Sequence, residues 1–152
     1  MERTQILFGT QTGTTEELAE ELQKELKEIG LEAPCENIFD VSVDLLKEVN
    51  RVFILISTWG DGDPPDDAED FYAEFVALPD ASLKGLEFSV LALGDSGYEL
   101  FCECGKNFDK HLERLGGKRI ANRVDCDVDY EEPFENWMKN VIEVLKPQLV
   151  IV

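Results

Sequence analysis

Two apolar runs, Arg51-Val52-Phe53-Ile54-Leu55-Ile56-Ser57 and Phe88-Ser89-Val90-Leu91-Ala92-Leu93, constrain the fold more tightly than any other feature of this sequence. Both have strand length, and neither alternates apolar with polar positions. A strand with one wet face would alternate, so these two must be covered on both faces, the situation of inner strands in a parallel sheet. Parallel neighbours cannot be joined by a tight hairpin; each pair needs a crossover, usually a helix.

The chain supplies those crossovers. Gln5-Ile6-Leu7-Phe8 is a short β-type stretch, followed by a helix on which Leu18, Leu22, Leu26 and Ile29 recur at helical spacing and which ends near Gly30. Leu31 to Ile38 reads as a short strand and Val43 to Glu48 as a small helical piece. Helices are expected from Ala68 to Val76 and from Cys102 to Leu115, the latter closed by Gly116-Gly117. A fifth strand is expected from Arg119 to Val124. The last helix runs from Pro133 to Leu145, with Phe134, Trp137, Met138, Val141, Ile142 and Leu145 on one stripe. This alternation predicts a single domain over residues 1–152, an α/β fold in which five parallel strands form an open, doubly wound sheet between two layers of helices.

In such sheets ligands bind beyond the carboxyl ends of the strands, where the strand order reverses. The loops after the first, third and fourth strands are the unusual ones. Phe8-Gly9-Thr10-Gln11-Thr12-Gly13-Thr14-Thr15 joins strand to helix through four threonines. A helix N-terminus presents outward-pointing N–H groups and a partial positive charge, so the loop reads as an anion cradle. It holds no lysine or arginine and matches neither a Walker A loop nor a dinucleotide fingerprint, so a phosphate there would be held by neutral donors. The local alternative is that Thr14 caps the helix, with Glu17 completing a capping box.

The loop after the third strand is Thr58-Trp59-Gly60-Asp61-Gly62-Asp63-Pro64-Pro65-Asp66-Asp67, and that after the fourth is Gly94-Asp95-Ser96-Gly97-Tyr98-Glu99-Leu100-Phe101. Aromatic residues in two polar loops at the same sheet edge can clamp a flat ring, each offset stack adding ~0.5–1.5 kcal/mol beyond burial. Phosphate and flat ring together indicate a mononucleotide or a flavin. The plainer alternative folds Trp59 and Tyr98 down on the sheet edge as lids.

Charge narrows the partners. A formal net charge of −19 repels nucleic acid and anionic membrane surfaces and favours a partner that is basic where it docks. Acidity that serves only solubility is the alternative for the bulk of that charge. Cys35, Cys102, Cys104 and Cys126 form no Cys-x-x-Cys pair and the chain has one histidine, so neither a metal site nor a disulfide framework is expected. His111, among charged neighbours in a helical stretch, is expected on a solvated surface. With no leader-like segment and no apolar run of spanning length, a soluble cytoplasmic protein is expected.

Three ordered segments, Thr10-Gln11-Thr12-Gly13-Thr14-Thr15, Ser57-Thr58-Trp59-Gly60-Asp61-Gly62 and Leu93-Gly94-Asp95-Ser96-Gly97-Tyr98-Glu99-Leu100-Phe101-Cys102, resemble the FMN-contacting segments of the flavodoxin family, and the resemblance spans essentially the whole chain. It implies a flavodoxin-like three-layer α/β/α sandwich with strand order 2-1-3-4-5 and FMN as cofactor. Within the family, Gly62-Asp63-Pro64-Pro65, Gly105-Lys106-Asn107-Phe108-Asp109 and Arg123-Val124-Asp125-Cys126-Asp127-Val128-Asp129-Tyr130 are similar to the FMN domains of diflavin reductases such as the sulfite reductase flavoprotein. These 152 residues hold no FAD or NADPH module, so hydride is not expected to be drawn from a nicotinamide by the family route within them. The long insertion that divides the last strand of long-chain flavodoxins is also absent, since few residues separate Gly117 from Asp125. A short-chain flavodoxin is therefore expected, with a domain cut from a longer reductase as the alternative that the apolar Leu149-Val150-Ile151-Val152 leaves open.

The resemblance also implies roles. Thr10 to Thr15 hold the phosphate, Trp59 covers the inner ring face and Tyr98 stacks on the outer. Gly60, tolerant of positive φ, lets its peptide flip on reduction so that the Asp61 amide turns toward flavin N5. Leu93, Gly94, Asp95 and their neighbours line the pyrimidine end with backbone donors, and Asp127 lies close by. Acidic residues follow both flavin loops, and Asp125, Asp127, Asp129, Glu131 and Glu132 close the same side. One negative charge ~10 Å from the ring, at an effective dielectric of ~20, disfavours an added electron by ~1.7 kcal/mol before screening, or ~70 mV. Several make a strongly reducing flavin and steer a basic redox protein to it. The expected function is that of a monomeric one-electron carrier between a reductase and a haem, iron–sulfur or radical-enzyme acceptor. Among alternatives, a quinone reductase needs one ring face open. A phospho-receiver needs an acidic pair where Phe8-Gly9-Thr10 stands, and a purely structural module of a reductase assembly would leave a flavin site idle.

Overall fold

The computed structural model describes residues 3–9, 13–58, 68–97 and 102–150. In chain order these form β1 (Thr4–Gly9), α1 (Thr14–Glu28), β2 (Cys35–Asn37), two 3-10 turns (Ile38–Asp40 and Val43–Lys47), β3 (Arg51–Ser57), α2 (Glu69–Val76), β4 (Glu87–Leu93), α3 (Glu103–Arg114), β5 (Lys118–Arg119), β6 (Val124–Cys126) and α4 (Glu131–Val150). All strand pairs are parallel, and the order along the sheet is β2-β1-β3-β4-β5, with β6 also on β4.

The inner strands are buried on both faces, as their composition requires. Along β3, Val52, Ile54 and Ile56 join the core under α2 and α3, where Phe71, Phe75 and Phe108 stack on one another, with ring centroids 5.0 to 6.3 Å apart. Phe53 and Leu55 face the other way, into the core under α1 and α4, against Leu22, Leu26 and Trp137. Leu18, Leu22 and Leu26 on α1, and Phe134, Trp137, Val141 and Leu145 on α4, are the buried stripes that their spacing predicts. Trp137 satisfies its indole N–H on Ser89 Oγ at 2.8 Å, and Ser89 donates onward to the Ala121 carbonyl at 2.9 Å.

The sheet edges depart from expectation, and the last helix runs from Glu131 to Val150, past the expected Leu145. The second strand is confined to Cys35–Asn37: Gly30 (φ 89) closes α1 in a Schellman turn, with Leu31 N–H on Leu26 O, and Pro34 has no N–H to donate. The fifth strand is two short pieces. Phe88 pairs with Arg119 and Leu91 with Val124, so five steps along the edge match three along β4 and the intervening residues bulge outward. An ion-pair cluster holds that bulge: Asp109 of α3, almost buried, accepts from Arg119 at 2.9 Å and Arg123 at 3.0 Å, and Arg123 also reaches Asp125 at 2.8 Å. His111 departs as well. It is half-buried, edge-on to Phe75, and its Nδ1 accepts from Arg114 Nε at 3.1 Å; burial and the neighbouring Arg114 push its pKa down. No helix among the described residues is long and apolar enough to cross a membrane.

α3 lies on β4 at a glycine. A Cβ built on Gly105 would stand 2.2 Å from the Ala92 Cβ and 3.1 Å from its Cα. Gly105→Ala must push the helix off the sheet, and a loss of ~1–3 kcal/mol is expected. Thermal unfolding measures it; an unchanged midpoint would show that α3 can ride outward without cost.

Candidate functional site

At the carboxyl edge the sheet order reverses between β1, which turns toward β2, and β3, which leads to β4. Two hydroxyls fix how β1 leaves the sheet: Thr15 Oγ1 donates to the Gly9 carbonyl at 3.0 Å, and Ser57 Oγ reaches the same oxygen at 3.4 Å. Thr15 is fully buried, so its hydroxyl shapes the loop from inside. The start of α1 also differs from the capping-box alternative. Its N-cap is Gly13, in the left-handed region at φ 90, with no side-chain cap hydrogen bond, and Thr14 is the first helical residue. A Cβ at Gly13 would meet nothing within 4 Å, so its left-handed backbone and not crowding calls for glycine here, and the first-turn amides of α1 follow it at the helix N-terminus.

The second half of the edge is gathered around β6. Gly94 N–H donates to the Cys126 carbonyl at 2.9 Å, and Cys102 Sγ lies 3.6 Å from that oxygen. Asp127, the next residue, accepts from the Ser96 amide at 3.0 Å, from the Ser96 hydroxyl and from the Val128 amide at 2.8 Å. Gly97 N–H donates to Asp95 Oδ1 at 2.8 Å. The amides of Gly94, Ser96 and Gly97 are thus taken up inside the protein, leaving the Asp95 amide as the remaining backbone donor among residues 94 to 97. Gly94 is required here by close approach: a Cβ would stand 3.0 Å from Cys102 N. Burial pushes the Cys102 and Cys126 thiols up to about 12, so both stay protonated and serve as packing groups at neutral pH. Thr58 N–H donates to the Leu93 carbonyl at 2.9 Å, and Thr58 Oγ1 accepts the Cys104 N–H at 2.9 Å.

Of the residues singled out in the sequence, Gly13, Thr14, Thr15, Ser57, Thr58, Leu93, Gly94, Asp95, Ser96, Gly97, Cys102 and Asp127 sit at this one edge. Thr10, Gln11, Thr12, Trp59, Gly60, Asp61, Gly62, Tyr98, Glu99, Leu100 and Phe101 lie outside the described residues. The donor set present fits a phosphate ester: a helix N-terminus with neutral backbone donors and no cation from Phe8 to Glu17. The inward hydroxyls of Thr15 and Thr58 were not legible as such, because a hydroxyl in a loop carries no signal of the direction in which packing turns it.

The hydrogen bonds from Ser96 hold the Asp127 carboxyl below the usual aspartate range. A lowered native pKa means that the bonds contribute fully at neutral pH and are lost as the pH falls through that native value. In an NMR titration the Ser96 amide is therefore expected to shift only in acid below the ordinary aspartate range, and Asp127→Asn to abolish that inflection. An inflection at the ordinary value would show that Asp127 does not hold the loop.

Comparison with known proteins agrees with this geometry. The family model described as Flavodoxin matches residues 6–137. The sulfite reductase [NADPH] flavoprotein alpha-component of Bacillus subtilis (strain 168) is 46% identical over 140 residues, covering 92% of this chain and 23% of that protein. Its counterpart from Vibrio cholerae serotype O1 (strain ATCC 39541 / Classical Ogawa 395 / O395) is 39% identical over 148 residues, covering 95% and 24%. The chain thus spans less than a quarter of the length of these curated relatives. Among solved structures, the Streptococcus pneumonia TIGR4 flavodoxin superposes with a TM-score of 0.83 at 28% identity, covering 95% of this chain and 98% of that one. A cysteine-to-serine mutant of flavodoxin from Pseudomonas aeruginosa superposes with a TM-score of 0.80 at 32% identity, covering 95% and 99%. With that match over most of its length, on the sheet order and site edge described above, the chain belongs to the flavodoxin family of FMN proteins.

Proposed function

We propose that this chain is an FMN-binding one-electron carrier that passes low-potential electrons between a reductase and an acceptor protein, with no substrate chemistry of its own. The observation that carries the reading is the cation-free cradle at Gly13, placed at the reversal point of the sheet and flanked by the ends of β3 and β4. Bound FMN supplies the redox centre. The first-turn amides of α1 bind its phosphate, with Thr10 and Thr12 as further donors. Trp59 and Tyr98 would cover the two ring faces and exclude water and small substrates from them, and the Asp95 amide would serve the pyrimidine end.

The charge at this edge supports a basic partner. Asp125 is paired with Arg123, whereas Asp127, bonded only to neutral Ser96 and Val128 donors, keeps its charge, so among the described residues at this edge the steering field comes from Asp95, Asp127, Asp129, Glu131 and Glu132. A second reading is favoured by one observation. The Bacillus subtilis relative, named as a sulfite reductase flavoprotein component, is 46% identical over 140 residues, and that overlap is only 23% of its length. In that reading the same site is the FMN module of a longer reductase and hands electrons onward within it. The size of the polypeptide that bears this sequence in extracts of its source separates the two: one of this length supports the free carrier, one of the relative's length the module.

Anaerobic reductive titration of FMN-loaded protein is expected to pass through a one-electron-reduced species absorbing at long wavelength. A colourless protein that takes up no added FMN would overturn the reading. Trp59→Ala and Tyr98→Ala are each expected to weaken FMN binding by roughly 2- to 12-fold, the equivalent of one lost stack. Raising ionic strength from about 0.01 to 0.15 M shortens the Debye length from about 30 to 8 Å. Electron transfer to cytochrome c, a basic haem protein, should slow accordingly in stopped-flow mixing; a salt-independent rate would refute electrostatic steering.

A further inference from the structure

We infer that Thr58 is the joint between the β3–α2 and β4–α3 connections, its amide and its hydroxyl gripping the two ends of the latter. This coupling rests on the flavin site proposed above and deepens it. Thr58 N–H donates to Leu93 O at 2.9 Å, where β4 ends, and Thr58 Oγ1 accepts the N–H of Cys104 at 2.9 Å, in the first turn of α3. The connection between those two points carries Tyr98, and Thr58 itself directly precedes Trp59.

The local sequence explains why the cap comes from another loop. A standard N-cap is an extended residue whose own oxygen bonds the amide two or three positions on. The N-cap of α3 is Cys102, which lies in the left-handed region (φ 54, ψ 24) and makes no side-chain cap hydrogen bond. It is held there by packing: its N and Sγ would stand 3.0 and 3.1 Å from a Cβ on Gly94, and Sγ is directed at Cys126 O. Cys104, two residues on, therefore receives its capping oxygen from Thr58. Cys104 is 1% exposed and Thr58 half-buried, so water reaches the bond from the Thr58 side only. Thr58 is a positioning residue: it acts on the loops and not on the ring, and a shift of the loop that it opens is passed to both ends of the loop bearing Tyr98.

Thr58→Val removes the hydroxyl at nearly constant volume, and Thr58→Ser keeps it. In ligand-free protein, NMR hydrogen exchange of the Cys104 amide is expected to quicken about fivefold in Thr58→Val, the equivalent of one net hydrogen bond, and to stay near wild type in Thr58→Ser. The FMN dissociation constant, read by fluorescence titration, should rise about fivefold in the valine variant and recover in the serine variant. The effects of Trp59→Ala and Tyr98→Ala on that constant should be non-additive in the wild-type background and additive beside Thr58→Val. Unchanged Cys104 exchange in Thr58→Val overturns the cap. Faster exchange with unaltered FMN affinity and additivity reduces Thr58 to an ordinary helix cap and overturns the coupling. If wild type takes up no FMN while Cys104 exchange still responds, the flavin reading fails and the coupling with it, and the cap alone stands. Should Thr58→Val fail to fold, Thr58→Ala is read in the same way.

Discussion

The parallel pairing of β3 between β1 and β4 is the constraint on which the rest of the molecule depends. Six residues of β1 and seven of β4 are in register with it, and Val52 to Ile56 are fully buried. Burial on both faces forces helices onto both, and parallel pairing forces each connection to cross from one end of the sheet to the other. At the amino end the buried Arg51 spans three strands, bonding Thr4 Oγ1 of β1 at 2.9 Å and Glu87 of β4 at 2.9 Å. With that end tied, the carboxyl ends of β1, β3 and β4 finish level, and the loops that leave them meet.

Among the described residues the meeting point is held by hydrogen bonds to backbone carbonyls and a threonine hydroxyl, together with bonds to the Asp95 and Asp127 carboxylates. Gly9 O, Cys126 O, Leu93 O and Thr58 Oγ1 each accept from a residue of another segment. Ion pairs are kept to one side, where Asp109, Arg119 and Arg123 hold the bulged edge behind β6. A cradle without cations suits a redox carrier, because a fixed positive charge beside the phosphate would raise the ring's affinity for electrons. The surplus acidity of the chain acts in the same direction, with Asp95, Asp129, Glu131 and Glu132 exposed after β4 and β6.

Much of the fold was legible because periodicity is a property of composition along one segment. The leucines of α1, the stripe of α4 and the apolar runs of β3 and β4 each announce which faces are covered, whatever covers them. The edge strands were misread for the same reason. Leu31 to Pro34 and Ile120 to Arg123 are apolar or β-branched enough to pass for strand, but strand is a pairing, and these residues lack an in-register neighbour on β1 or β4. The capping-box pattern at Thr14 and Glu17 was likewise a true local motif overruled by Gly13, whose left-handed conformation sets where α1 begins.

Sequence alone determined the layer order and the inner strands, and singled out three segments at one sheet edge as the candidate site, since burial pattern and motif order are written residue by residue. Only the tertiary structure decided what the hydroxyls and carboxylates of those segments do. Thr15 turns inward to Gly9, Asp127 holds Ser96 across a gap of 31 residues, and Thr58 caps a helix 46 residues away. The physical reason is that a short polar side chain can bond in many directions at nearly equal cost, and the choice among them is made by whichever unsatisfied amide the packed sheet brings within about 3 Å.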